Sequence, residues 1–156
     1  RVNRLLLALE RSNPTAPIVL WVDCPGGEVY SGFAIYDTAR FISPRVITVI
    51  AGFAGSMGSV IALAAEKEDR VALPNAKLLI HQPLGGFQGQ ATDIDIHARE
   101  ILRTRDKLNE LLVKHTGQPI ERIKNDTERD YFMSAMESKE YGIIDEVLAH
   151  KPPAAK

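Results

Sequence analysis

The chain has 156 residues, a formal net charge of −1 and 45% hydrophobic residues, enough for one core that buries roughly 70% of the unfolded surface. The near-neutral balance leaves no basic footprint for nucleic acid, and neither a membrane-length apolar run nor a signal peptide is visible. A single cysteine, Cys24, excludes an internal disulfide framework and suits a reducing compartment.

In chain order, a helix is expected near 2–10 and a strand over 17–22. The turn Asp23–Glu28 follows, carrying Pro25, Gly26 and Gly27, and opens a helix over 29–42 that stops before Pro44. Adjacent glycines at a helix start let backbone N–H groups approach a bound oxygen closely, although a plain tight turn has the same look. Val46–Ile50 reads as a buried strand, Ala51–Gly55 as a tight small-residue turn, and 57–66 as a largely apolar helix. Ser56 sits at that strand-to-helix turn, where unpaired helix N–H groups favour developing negative charge. The pattern is close to the nucleophile elbow, with Ala54 in place of its first glycine. The competing reading is a simple N-cap. A nucleophilic serine needs a base and an orienting group, and the N–H of the next residue, Met57, would complete an oxyanion hole with the Gly26-Gly27 turn.

Strands near 70–73 and 77–81 come next. His81 ends the second and precedes Pro83, so it is a candidate base or a satisfied structural histidine. His97 and His115 lie on a long charged helix and His150 in the tail. Leu84–Ala91 interleaves Gly85, Gly86 and Gly89 with Gln88 and Gln90, a composition that suits a surface loop or close approach by another backbone. A helix of roughly 22 residues follows, about 33 Å long at 1.5 Å per residue, with Thr92 as N-cap and Gly117 at its end. Its stripe of Ile94, Ala98, Ile101, Leu102, Leu108, Leu111 and Leu112 would dock on another subunit or on the core. Asp126, Glu128 and Asp130 crowd one turn-like segment, any of them a possible orienting carboxylate or part of a solvated charge run. Ser134 and Glu137 form a capping box, Gly142 closes a short helix, and a strand over 143–148 precedes a tail, 151–156, expected to be disordered. The alternation of strands and helices without linker or repeat argues for α/β architecture built of βαβ units in one domain over 1–150.

Specific runs carry a resemblance. Ser12-Asn-Pro14, Cys24-Pro-Gly-Gly27, Ala34-Ile-Tyr-Asp-Thr38, Ser56-Met-Gly58, Ala72-Leu-Pro-Asn-Ala76, the whole of Ile80 to Asp93, His115-Thr-Gly117, Asp126–Asp130 and Glu140-Tyr-Gly142 resemble ClpP, the family of Clp protease proteolytic subunits, over nearly the whole chain. The resemblance implies a ClpP/crotonase-type fold with a protruding handle at about 84–115. It also implies serine endopeptidase cleavage of unfolded polypeptide through an acyl-enzyme, with Ser56 as nucleophile, His81 as base, Asp130 as its partner, and Gly27 and Met57 as oxyanion donors. Gly85, Gly86, Phe87 and Gln88 would flank the bound peptide, and Arg129 with Glu128 would join rings. Trp21, Phe41 and Leu148 would line the cleft that receives an unfoldase loop.

Two stacked homo-oligomeric seven-membered rings, fed by a hexameric AAA+ unfoldase, are implied as partners. So is ATP-dependent proteolysis for protein quality control in the cytoplasm or in an organelle matrix of bacterial origin. No ATP motif appears, and no metal or cofactor is expected. Cys24 stands where serine is expected, Val19 and Trp21 where tyrosines are common, and Gly55 where alanine is usual. The chain opens without an initiator methionine in what reads as mid-helix, as an N-terminally truncated member would. A non-catalytic ring subunit and, more remotely, a crotonase-like acyl-CoA enzyme or a Ser–Lys hydrolase using Lys67 or Lys77 are the alternatives.

Overall fold

Strand pairing organises the chain, and the longest strand sets its plan. The computed structural model describes residues 1–151. Its helices are α1 (Val2–Ser12), α2 (Val29–Phe41), α3 (Met57–Ala62), α4 (Ala91–Thr116), α5 (Ile120–Thr127) and α6 (Ala135–Tyr141). Its strands are β1 (Ile18–Cys24), β2 (Val46–Gly55), β3 (Arg70–Ala72), β4 (Lys77–Ile80), β5 (Tyr131–Ser134) and β6 (Glu146–Val147). The sheet runs β5-β4-β2-β3-β6, with β1 on the other side of β2. Only β4 and β5 pair antiparallel; the remaining pairs are parallel.

The β-branched run Val46–Ile50 pairs with β1 on one side and, over Thr48–Ile50, with β3 on the other. Beyond a bend at Gly52, Phe53–Gly55 pair instead with Lys77–Leu79 of β4. Gly52 has φ of 97°, and a Cβ there would lie 2.8 Å from the Asp23 carboxylate. That carboxylate accepts the Phe53 N–H at 3.1 Å where the β1–β2 register slips. Side chains of β1 alternate. Ile18 and Val22 face the helices and are buried, whereas Val19 and Trp21 are exposed. Ile50, Leu63, Leu78 and Ile143 are fully buried at the centre of the core. Thr48 is equally buried and donates its hydroxyl to the Ala62 carbonyl at 2.7 Å, tying β2 to the end of α3.

Several expected boundaries shift. Ala51–Gly55 is strand, not turn, because pairing with β4 overrides the weak strand propensity of small residues. The helix after Ser56 ends at Ala62, tightened by Leu63 N–H to Val60 and Ala64 N–H to Ile61. The long helix starts at Ala91 with Gln90 before it, so Thr92 lies inside the first turn. Only Leu108, Asn109 and Leu112 of α4 are buried, while Ile94, Ile96 and Leu102 are exposed. The residues between β4 and α4 run back along the helix: Phe87 stacks on His97 with ring centroids 3.8 Å apart. The capping box at Ser134 and Glu137 is formed. The final strand contracts to β6, and the expected tail beyond Lys151 lies outside the described residues.

One polar pair joins α2 to the end of α4. The Tyr36 hydroxyl and His115 Nε2 are hydrogen-bonded at 2.6 Å. Burial, reinforced by Arg70 and Arg40, lowers the His115 pKa from 6.5 to about 4. Between those values the unfolded chain binds the extra proton, so stability rises with pH across the window. Urea midpoints should hold above pH 6.5 and decline steadily as pH falls toward 4. The His115→Gln variant should lose most of that decline. An equal pH slope in the variant would show that other groups govern it.

Candidate active site

Ser56 closes β2 and opens α3 with φ of 52° and ψ of −119°. A non-glycine residue in that region is strained by roughly 1–3 kcal/mol and persists only where its surroundings hold it. Three backbone bonds hold it here. Its N–H donates to Leu79 of β4 at 2.9 Å, and its carbonyl accepts Ser59 N–H at 3.0 Å and Val60 N–H at 3.4 Å. The Ser59 hydroxyl donates to the same carbonyl at 2.6 Å. Ser56 occupies the N-cap position of α3, as the competing reading expects, but its side chain makes no cap hydrogen bond.

Because Ser56 N–H is bonded to Leu79, the serine lies two residues along β4 from His81. Both line one narrow pocket with apolar walls from Val29, Val60, Leu108 and Leu112. Asn109 and Gln82 also line it; Asn109 is 3% exposed, and its Oδ1 accepts the Thr127 hydroxyl at 3.3 Å. No hydrogen bond joins Ser56 to His81; nucleophile–base contacts are often looser without substrate. His81 Nδ1 sits 3.1 Å from Asp130 Oδ1, with the imidazole 15% and the carboxylate 61% exposed. The β4–β5 pair Ile80–Tyr131 places these two residues opposite each other, one step beyond the ladder. The other carboxylates of that segment are directed elsewhere. Asp126 pairs with Arg122 at 3.3 Å and accepts the Tyr141 hydroxyl at 2.9 Å. Glu128 lines a second, open hollow with Arg129, Leu84 and Gln82 around the His81–Asp130 pair.

The loop from β1 meets Ser56 directly. A Cβ on Gly26, whose φ is 108°, would lie 2.7 Å from Ser56 Cβ. Glu28 caps α2 by accepting N–H groups from Tyr30 at 2.8 Å and Ser31 at 2.7 Å. Bonds from Ser31 and Tyr30 hold its carboxyl below the usual range. Those two donors of the first turn are therefore taken, whereas the N–H groups of Gly27 and Met57 meet no acceptor among the described residues. Met57 itself is buried against α2.

Other expected site residues are more dispersed. Gly85 packs on Ile101, Gly86 faces open space, and Phe87 and Gln88 are exposed. Arg129 and Glu128 are both exposed. Trp21 and Phe41 are 62% and 83% exposed, and Leu148 is half-buried. Sequence reasoning passed over Asp23, Gln82 and Asn109. The signals were slight: an acid before the cysteine, an amide between a histidine and a proline, and one amide in an apolar stripe. Among the described residues no group of three or more His, Cys, Asp or Glu could hold a metal, and no helix is long and apolar enough to cross a membrane.

Compared with known families, residues 1–151 match the model for Clp protease. The chain belongs to that family, whose peptidase class and α/β fold it shares. The packing of the site leads to a stability expectation. A Cβ on Gly58 would lie 2.4 Å from the Cys24 carbonyl oxygen, a backbone atom that cannot rotate away. Gly58→Ala should therefore lower stability by about 1–3 kcal/mol through overpacking, measured as a drop in denaturation midpoint. An unchanged midpoint would mean that α3 and the loop separate freely.

Proposed function

We propose that this Clp protease family member is a serine endopeptidase that cleaves unfolded polypeptide. The observation that supports it most is the strained backbone of Ser56, which turns an otherwise unbonded hydroxyl toward the cavity shared with His81. In the proposed reaction His81 Nε2 takes the Ser56 proton as Oγ bonds to the substrate carbonyl carbon. The N–H groups of Gly27 and Met57 receive the oxyanion, a contribution typically worth roughly 10²–10³ in rate per donor. His81 then passes the proton to the leaving amine as the C–N bond breaks, and water repeats the sequence on the acyl-enzyme. Asp130 orients the imidazole through Nδ1 and stabilises its charged form.

Around this chemistry the reading places a chamber of two stacked seven-membered rings, supplied by a hexameric AAA+ unfoldase that carries the ATP chemistry, in the cytoplasm or an organelle matrix. Residues Gly85–Gln88 would flank the peptide, Arg129 and Glu128 would join rings, and Trp21, Phe41 and Leu148 would receive the unfoldase. The missing Ser56–His81 hydrogen bond favours a second reading, a ring subunit without activity.

Intact mass after fluorophosphonate treatment of the largest assembled fraction separates the two. A single adduct, absent from Ser56→Ala, is expected for the peptidase. Assembled rings that take no adduct would leave the structural-subunit reading. For assembly, Arg129→Ala should yield single rings with little activity, read by sedimentation; intact active double rings would refute its role.

A further inference from the structure

The tripeptide His81-Gln82-Pro83 does more than present an imidazole. Helix α5 ends at Thr127, and the last carbonyls of a helix have no donor of their own. Gln82 supplies two. Its backbone N–H donates to the Thr127 carbonyl at 2.7 Å, and its side-chain Nε2 donates to the Glu128 carbonyl at 3.0 Å. The opposite amide orientation would set two oxygens against each other, so the donor assignment is unambiguous. Pro83 disfavours helical backbone at Gln82 and keeps it extended, which fixes the direction of both donors relative to the adjacent imidazole.

Asp130 needs such help. Its carboxylate is 61% exposed, and its hydrogen-bond partner among the described residues is His81. An exposed pair of this kind contributes little to holding its own geometry; the β4–β5 ladder fixes the backbone on the Tyr131 side of Asp130, and the Glu128 side needs a hold of its own. The gripped Glu128 carbonyl lies two residues before it. The charged side chains around the pair are Glu128, Arg129 and Asp130 itself, in the hollow that Gln82 and Leu84 complete.

We infer that Gln82 is a positioning residue, gripping the end of α5 so that Asp130 meets His81 Nδ1. The inference rests on the peptidase reading above and names a residue outside the Ser56, His81 and Asp130 set. A helix cap of purely structural value would lower stability and change all rates alike. A positioning residue acts through Asp130 alone.

The test is a double-mutant cycle on assembled protein, reading peptide hydrolysis and the rate of fluorophosphonate labelling at Ser56. Gln82→Met keeps the length and removes the donor; Gln82→Asn keeps the amide but cannot reach Glu128 and serves if the first variant fails to assemble. Either should lower kcat by roughly tenfold or more, with KM unchanged, since a 1 Å misplacement can cost on the order of 10². In an Asp130→Asn background the same substitution should add nothing. A wild-type kcat in the Gln82 variants, or a full additional loss on top of Asp130→Asn, would overturn the inference while leaving the peptidase reading standing. A wild-type chain that never labels at Ser56 would overturn both.

Discussion

The double pairing of β2 is the constraint on which the site depends. A straight strand would continue alongside β3 and deliver its last residue away from β4. The bend at Gly52, with Asp23 taking the Phe53 N–H, moves the second half onto Lys77–Leu79. From that point backbone hydrogen bonding sets distances that side chains could not. Ser56 is tied to Leu79, His81 follows two residues later, and β5 carries Asp130 to the same place from the far side of β4. Three residues far apart in sequence thus share one strand end, because each is the continuation of a pair in the ladder.

Close packing then completes what pairing begins. The loop after β1 lies against Ser56 at Gly26, and the carbonyl of Cys24 at the end of β1 lies against Gly58 at the start of α3. Two backbone segments approach closely where side chains are absent, and the N–H groups of Gly27 and Met57 meet no acceptor among the described residues. Met57 is buried, where N–H groups normally find partners, whereas Gly27 is exposed. Glu28 sharpens the contrast by satisfying the next two donors of α2 itself.

Much of this was legible because the residues concerned lie at the edges of strongly patterned segments. Val46–Ile50 announces a strand, and a serine just past it invites attention; His81 before Pro83 does the same. Asp130 could not be separated from Asp126 and Glu128 on local grounds, since all three look alike on a charged stretch. The separation comes from tertiary partners: Arg122 and Tyr141 occupy Asp126, and the ladder with β4 aims Asp130. Helix α5 and strand β5 escaped notice for a related reason. One is eight residues long and the other four, and β5 exists through a partner about fifty positions earlier. Local propensity has little to say about elements that short.

The backbone at position 56 has a consequence for descent. Its φ of 52° suits a residue without a side chain, so folding stability alone would drive a lineage toward glycine there. A serine kept at such a point by the proposed activity would be held there against that conformational cost. Once that selection lapses, substitution at this position is downhill, and decay of the site would begin with its hydroxyl while the fold around it gained in stability.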